Sequence, residues 1–408
     1  MTTSPPRTRP RLSGTNLERA ADHNQRVTLH AIRVCGSLTR VELAGITGLT
    51  APAIANITRR LLDEGLIEEA GQRRGGRGQP PTKLVVRRDA CHSIGVNIDR
   101  DHITIVLVDF AGETLARATA NVDFALPDYV RSFYRKSIKA MLKSAKVDKS
   151  KLIGIGVAVP DDLGSVDLPG RPADYAQWES TDLAALFAEP FDLPVFVEND
   201  AAAAAMGEMQ LGLGQKTSSF FYILVSSGLG GGLVIDGAYV RGAAGRSGEL
   251  GFMRVAGPDG PGEQIQTLVS LSGLARHLAT KRFKLSDVMG EYTPAPKLDA
   301  CVADWIEQAA TQLCGPLDAV NCLINPAMVL MGGRLPGRLV EQLADRANAL
   351  LRDHAGQLPT LAPVARAALS EDAPAVGAAI LPFSHFLLPK PGALWKAPTG
   401  GAITEDTA

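Results

Sequence analysis

Residues 39–61 read TRVELAGITGLTAPAIANITRRL, and this stretch decides the fold of the N-terminal part of the chain. It opens with Thr39 followed three residues later by Glu42, a capping box in which each side chain bonds the other residue's backbone amide. Gly48 ends the helix that begins there, and Thr50 offers the N-cap of a further helix. The stretch therefore predicts two short helices separated by a tight turn.

The second of these helices has one apolar face, because Ile54, Ile57 and Leu61 recur at helical spacing. A preceding amphipathic helix is predicted over residues 24–36. Two helices joined by a turn containing Gly form a helix-turn-helix, whose second helix enters the major groove of DNA. The alternative is a purely structural three-helix bundle.

Small residues at the start of the second helix permit close approach to DNA, and Asn56 can pair bidentately with adenine. The residues of this motif that we expect to contact DNA are Thr39, Thr50, Ala51, Ala53, Asn56, Arg59 and Arg60.

Two short strands are predicted after the helices, over residues 66–70 and 83–86, with RRGGRGQPP at 73–81 between them. A two-stranded wing with a Gly-flexible, Arg-rich tip suits contact with phosphates or a narrow minor groove. We expect Arg73, Arg74 and Arg77 to contact DNA. A solvated linker is the alternative, and the two interpretations can coexist.

The charge of the chain is divided unevenly. Residues 1–88 contain 15 Lys and Arg against 7 Asp and Glu, a net charge of +8, whereas the remainder contains 27 against 36, a net charge of -9. A basic module on an acidic body attracts phosphate locally without becoming a general polyanion binder. The asymmetry favours a double-stranded DNA partner for the N-terminal module.

The length of 408 residues predicts two or three domains. There is no run of about 18 apolar residues that could span a bilayer. The Pro- and Arg-rich start lacks the apolar segment of a signal peptide, so we expect a disordered arm, no membrane partner and a cytoplasmic location. The five scattered cysteines lack the spacing of a disulfide framework or zinc ribbon.

After residue 92 the pattern changes to apolar runs that alternate with helical stretches. Strands are predicted at 94–98, 103–109, 152–158, 194–198 and 219–225, and helices at 128–145, 181–189 and 200–211. This alternation is typical of α/β architecture, and longer helices follow residue 268.

Five motifs in this order resemble the ROK family of repressors, open reading frames and sugar kinases. They are IGIGVAVP at 153–160, PVFVENDA at 194–201, SSGLGGG at 226–232, GRSGELG at 245–251 and NPAMVLMGG at 325–333. The resemblance extends from about Asn24 to Pro389. It implies an α/β fold with an N-terminal winged helix-turn-helix followed by a two-lobed actin-like ATPase domain. Asp161 stands where the family usually has Gly.

The resemblance also implies a sugar site. In the family's kinases the position of Asp200 is the base for a sugar hydroxyl, and those of Asn199 and Glu249 hold other hydroxyls. Gln266 replaces a sugar-contacting Glu. Two structural alternatives remain open: residues 228–232 can form only a tight hairpin, and Asn199 with Asp200 can simply cap a helix.

The first phosphate loop of the family, Asp-x-Gly-Gly-Thr, is matched here by NIDRD at 97–101. Carboxylates facing a polyanion at about 4 Å cost roughly 1 to 4 kcal/mol each, which argues against ATP binding and phosphoryl transfer. The family's zinc site is also unmatched, since Phe252 occupies its His position and the following loop has no Cys. We therefore expect no catalytic residue, no metal and no cofactor.

The expected domains are a disordered basic arm over 1–23, a winged helix-turn-helix over 24–88, a ligand-sensing and oligomerising ROK-type domain over 89–389, and a flexible tail over 390–408. The predicted function is a repressor controlled by a sugar or sugar-like ligand, as a homodimer or homotetramer. Two alternatives remain: an active sugar kinase with a fused DNA-binding domain, and a DNA-binding protein whose body only oligomerises.

Overall fold

A computed structural model describes residues 17–72, 81–161, 163–165, 171–243, 245–257, 260–353 and 355–389. Within these ranges the chain forms two compact units. The head unit contains the residues up to Arg87 together with those from Ser384 onward, and the body unit is Arg88–Phe383.

The head unit consists of three helices and a small sheet. In chain order its elements are α1 (Leu17–Cys35), β1 (Leu38–Thr39), α2 (Arg40–Thr47), α3 (Ala51–Asp63), β2 (Ile67–Gln72) and β3 (Thr82–Val86). The strands pair antiparallel in the order β1-β3-β2. Apolar side chains of all three helices are fully buried, including those of Leu29, Ile32, Leu43, Ile54 and Leu61.

Helix α1 begins seven residues before the predicted start at Asn24, which corrects the expected disordered arm over part of its length. Glu18 in the first turn complements the helix dipole and favours this earlier start. The Arg26 guanidinium donates to the carbonyls of His385 and Leu388 at 3.1 and 3.3 Å. The head unit therefore includes the segment from Ser384 onward, whereas the sequence places residues up to 389 in the ROK-type domain.

The first lobe of the body unit is built on a five-stranded sheet. Its elements are β4 (His92–Ile98), β5 (His102–Asp109), β6 (Thr114–Asn121), α4 (Pro127–Ala145), β7 (Leu152–Val159), α5 (Leu183–Ala188) and β8 (Val195–Asn199). The sheet order is β6-β5-β4-β7-β8, in which β4, β7 and β8 are parallel. Strands β4 and β5 are buried along their whole length, which explains their nearly continuous apolar sequences.

The second lobe contains another five-stranded sheet and most of the helices. Its elements are α6 (Asp200–Leu211), β9 (Phe220–Val225), β10 (Leu229–Ile235), β11 (Ala238–Tyr239), β12 (Arg254–Gly257), β13 (Gly260–Gln264), α7 (Leu271–Thr280), α8 (Ser286–Met289), α9 (Pro296–Leu323), β14 (Met328–Gly333), α10 (Gly337–Asp353) and β15 (Val364–Arg366). The last helix, α11 (Ala373–Phe386), packs against both lobes, and its residues from Ser384 onward belong to the head unit. The sheet order is β11-β10-β9-β14-β15, and β12 pairs with β13 separately.

Two glycines of the first lobe allow α11 to pack directly on its sheet. A Cβ atom at Gly95 would collide with the backbone of Ala375, and one at Gly156 with the backbone of Ala378. Such close backbone approach is open only to glycine. These contacts fix α11 against the centre of the sheet, next to the strands whose ends carry the predicted site.

The predicted alternation of strands and helices is confirmed in the body unit. The helix expected at 200–211 is α6 with the same bounds, and that expected at 128–145 is α4 with one more residue. The residues 226–232 do form a hairpin, since β9 and β10 pair antiparallel on either side of Ser226–Gly228. The hairpin interpretation is therefore correct for the backbone, and its loop still lies in a cleft described below.

Candidate functional site

Helix α3 of the head unit exposes a polar face. Ile54, Thr58 and Leu61 are buried, whereas Asn56 and Arg59 are exposed. The N-terminal end of the helix begins with exposed Ala51 and partly exposed Ala53, as the helix-turn-helix pattern predicts. The exposed face therefore carries small residues first, then an amide, then a guanidinium. This order is suited to the floor and the rim of a DNA groove.

The two helices of the motif are connected as the sequence predicts. The capping box at the start of α2 is present, with Thr39 and Glu42 bonded in both directions. Gly48 adopts a left-handed conformation with φ 70° at the end of α2, and the Thr50 hydroxyl accepts from the amide of Ala53 at 3.4 Å. Gly48 and Thr50 thus set the turn into α3.

Two of the residues predicted to contact DNA have side chains that bond to other residues of the head unit. Thr39 is only 3% exposed and its hydroxyl donates to Glu42, so its side chain is a helix cap and cannot reach DNA. Arg60 is exposed but pairs with Glu64 at 2.8 Å, which in turn accepts from Gln25. The wing residues Arg73, Arg74 and Arg77 lie outside the described residues.

A cleft of about 670 Å³ lies between the two lobes of the body unit. One wall of the cleft is formed by the ends of β4 and β7 and by the start of α6. The other wall is formed by the β9–β10 loop, the segment before β12 and helix α7. The predicted ligand residues Asn199, Asp200, Glu249 and Gln266 all line it. Three separate segments of the chain therefore converge on one cavity.

Asn199 and Asp200 lie where β8 passes into α6. The Asn199 side chain accepts from the amide of Ala202 at 3.0 Å, and one Asp200 oxygen accepts from the amide of Ala201 at 2.8 Å. Capping and cleft lining therefore coincide in these residues. Burial raises the pKa of Asp200 to about 7, and the negative charge of Asp99 adds to the rise. This carboxyl can thus exist in either protonation state near neutral pH.

Glu249 is held by an arginine that also crosses the cleft. Arg246 Nε lies 3.3 Å from Glu249 and 2.9 Å from Asp161, which follows β7 in the other lobe. Burial raises the pKa of Glu249, and the bond from Arg246 opposes this effect. Asp161 therefore gives Arg246 a partner that the family's usual Gly would not.

The remaining wall of the cleft combines amides with one aromatic ring. Gln266 donates to Gln264 at 2.7 Å, and both side chains line the cavity. Phe252 is 42% exposed, and the Arg246 guanidinium lies 5.8 Å from its ring centre. Polar groups able to donate and accept hydrogen bonds next to a ring are apt for a sugar, which presents hydroxyls and C–H faces.

Residues 97–101, which match the first phosphate loop, form the turn between β4 and β5. Asp99 and Asp101 both face Arg334, which follows β14 in the second lobe. Arg334 forms a short ion pair with Asp101 and lies 3.7 Å from Asp99. Ser227 donates to Asp101 at 3.3 Å through its hydroxyl. A guanidinium therefore stands between loops that phosphate oxygens would need to contact.

Among the described residues, no group of three or more His, Cys, Asp and Glu side chains is arranged to hold a metal ion. Within the same part of the chain, no helix combines the length and the apolar character needed to cross a bilayer.

Sequence reasoning missed several residues in and next to the cleft. Arg246 lies within a quoted motif, but its bond to Asp161 joins residues far apart in sequence. Arg334 directly follows the last motif and forms its ion pairs across 233 residues. Tyr175 and Arg276 also line the cleft, from segments that carry no recognisable pattern. Only the position of Arg334 after Gly332-Gly333 offered a signal.

The chain combines an N-terminal winged helix-turn-helix with a two-lobed domain of actin-like ATPase fold. Residues 22–68 match the winged helix-turn-helix DNA-binding pattern, and residues 93–384 match the ROK family. The chain belongs to the ROK family.

Relatives of similar length support this assignment. An uncharacterised protein, y4fQ of Sinorhizobium fredii, is 31% identical over 88% of this chain and 90% of its own length. The xylose repressor of Bacillus subtilis is 26% identical over 89% of this chain and 96% of its own. A crystal structure of a ROK family transcriptional regulator, a homolog of the E. coli MLC protein, has the same fold. Its TM-score is 0.66 at 21% identity, over 89% of this chain and 96% of the other.

Proposed function

We propose that this chain is a transcriptional repressor whose head unit binds an operator in double-stranded DNA and whose cleft binds a sugar or sugar-like effector. One observation carries the proposal: Asn199, Asp200 and Glu249 line a single cleft together with the carboxylate of Asp99, and Asp101 follows two residues later in the same turn. The cleft therefore keeps side chains that can bind sugar hydroxyls, while the turn that matches the first phosphate loop presents carboxylates, which repel a triphosphate.

The head unit supports the DNA-binding half of the proposal. Helix α3 exposes Asn56 and Arg59 while its apolar face is buried, so the helix is available to a groove. The described wing strands flank the arginines at 73, 74 and 77, which we propose as additional contacts. The name of the B. subtilis relative, a xylose repressor, agrees with a role in repression.

The effector half rests on hydrogen-bonding capacity. Buried hydroxyls of a ligand need donors and acceptors, which Asn199, Glu249 and Gln266 supply from three directions. We propose that the effector is an unphosphorylated sugar or related polyol, bound in the cytoplasm. In a homodimer or homotetramer, ligand binding between the lobes would change the spacing of two head units relative to half-sites about 34 Å apart.

Sugar phosphorylation is a second candidate, because one observation favours it. A carboxyl with a pKa of about 7 at Asp200 is suited to accept a proton from a sugar hydroxyl. Measuring ATP turnover with a panel of sugars decides between the two functions. Turnover that is abolished in Asp200→Ala establishes a kinase, and no turnover with any sugar supports a regulator.

Fluorescence anisotropy tests the main proposal directly. The probe is a set of labelled fragments from the DNA upstream of the gene that encodes this chain, titrated with protein at several salt concentrations. We expect salt-sensitive binding to at least one fragment, and loss of affinity with one member of a panel of pentoses, hexoses and polyols. Absence of binding at low ionic strength overturns the proposal.

A further inference from the structure

Three segments that match nucleotide-contacting loops of the family converge on one ion cluster. They are the β4–β5 turn with Asp99 and Asp101, the β9–β10 loop with Ser227, and the end of β14 followed by Arg334. We name the side chains of these four residues the Arg334 cluster. Two belong to the first lobe and two to the second, so the cluster connects the lobes, and two of its members, Asp99 and Ser227, also line the cleft.

The backbone fixes Arg334 in this position. Gly333 adopts φ 109°, a conformation that other residues rarely adopt, and a Cβ atom there would collide with the backbone of Val225. The Arg334 amide then donates to the carbonyl of Val225 at 2.9 Å. The side chain consequently leaves the sheet at a defined point and is directed to the turn of the opposite lobe.

The contacts of the cluster satisfy both carboxylates. Arg334 pairs with Asp101 and lies 3.7 Å from Asp99, while the amide and hydroxyl of Ser227 approach the same two carboxylates at 3.5 and 3.3 Å. The Arg334 side chain is 12% exposed and that of Asp101 21%, so solvent screens the pair only in part. The nearby Arg334 and Arg100 guanidinium groups oppose the effect of burial and lower the pKa of Asp101.

Charged and polar groups of the chain itself therefore connect the two lobes. We infer that the Arg334 cluster is an internal clasp that holds the lobes together beside the effector cleft and sets how readily that cleft opens. The inference rests on the proposed function only in treating this cleft as the effector site.

The Arg334 cluster therefore acts as a restraint on opening of the cleft. Opening of the cleft has to separate Arg334 from Asp101, and each would then be left without its partner. Asp101 would keep only Arg100, at 3.4 Å. An effector that binds near Asn199 and Glu249 needs the cleft to open, which breaks the contacts of the Arg334 cluster. The affinity for the effector therefore depends on residues that the effector does not touch.

Hydrogen exchange of the full chain, without sugar and without DNA, tests the clasp. The two reporters are the backbone amides of residues 98–102 in the first lobe and 225–230 in the second. The variants are Arg334→Gln, Asp101→Asn and the double variant. Arg338→Gln is the matched control, because Arg338 packs on the Tyr292 ring at 4.6 Å, outside the cluster. Circular dichroism verifies that each variant is folded.

We expect each single variant to exchange about tenfold faster in both reporters, a value typical of a partly buried pair. The double variant should exchange about tenfold faster, not about a hundredfold, because both substitutions remove one interaction. Arg338→Gln should leave both reporters unchanged. Unchanged exchange in the single variants, acceleration confined to one lobe, or a double variant that multiplies the two effects overturns the inference.

Should Arg334→Gln fail to fold, Asp101→Asn still tests whether the ion pair restrains opening. Asn has the size of Asp and can still accept the bond from Ser227. The readout is independent of the proposed function. Failure of the DNA and sugar titrations leaves the exchange result standing, and the reverse is also true.

Discussion

Gly156 in β7 lies against the backbone carbonyl of Ala378 in α11, with no room for a side chain between them. Gly156→Ala should therefore lower the free energy of unfolding by about 3 kcal/mol or more, because a backbone on a packed sheet cannot move aside cheaply. Urea denaturation of the full chain measures the effect.

Gly315→Ala is the control for this substitution. Gly315 lies within α9, and a Cβ atom there has open space within 4 Å. Alanine should stabilise the helix by up to about 1 kcal/mol. Equal effects of the two substitutions would show that close packing of α11 is not the reason for glycine at position 156.

The stability of the body unit should depend on pH through Asp200. Its pKa is about 7 in the folded chain and 3.8 as the ordinary value, so the native state holds a proton that the unfolded state releases between these values. Stability should therefore fall as pH rises from about 4 to about 7 and change little above that, by up to about 4 kcal/mol.

Asp200→Asn removes this dependence while keeping an oxygen for the amide of Ala201. The variant should be more stable than the native chain at pH 8 and similar to it at pH 4.5. Thermal denaturation across this range makes the comparison. A variant whose stability follows the native curve over this pH range contradicts the assignment to Asp200.

The exposed face of α3 leads to distinct predictions for an amide and a guanidinium. Asn56→Ala should cost about 1 to 3 kcal/mol on the preferred operator and relax its sequence preference at one position. Arg59→Ala should weaken binding to all sequences and reduce the salt slope by about 1. Lys139→Ala, which removes an exposed charge of the body unit, serves as the control. Identical losses for all three variants would argue against α3 as the reading helix.

Thr39 should act through folding and not through DNA contact. Thr39→Ala removes the cap of α2 and should lower the stability of the head unit by about 1 kcal/mol, whereas Thr39→Ser should retain most of it. At a temperature where both are fully folded, their DNA affinities and salt slopes should match those of the native chain. A folded Thr39→Ala protein with reduced DNA affinity would instead place this hydroxyl on a phosphate.

Local patterns in the sequence predicted much of this fold. The capping box at Thr39, the turn at Gly48 and the apolar spacing of α3 all act within a few residues, so their geometry follows from neighbouring side chains. The start of α6 at Asp200 was predictable for the same reason. Helix α1 begins earlier than predicted, and Glu18 in its first turn favours this start through the helix dipole.

The contacts that were not predictable join distant parts of the chain. Arg334 and Asp101 are separated by 233 residues, and nothing near either of them indicates the other. Arg246 likewise gains its partner Asp161 only when two lobes approach. The family resemblance pointed to these loops in the sequence, whereas the ion pairs between them follow from tertiary structure alone.

The bonds from Arg26 to the carbonyls of His385 and Leu388 have a practical consequence for anyone who wishes to isolate the DNA-binding part. A gene fragment that stops after Arg87 would encode a truncated domain whose guanidinium had lost both acceptors. A self-sufficient version has to combine both parts of the polypeptide by an internal deletion, with a short linker in place of the excised 296-residue insert Arg88–Phe383.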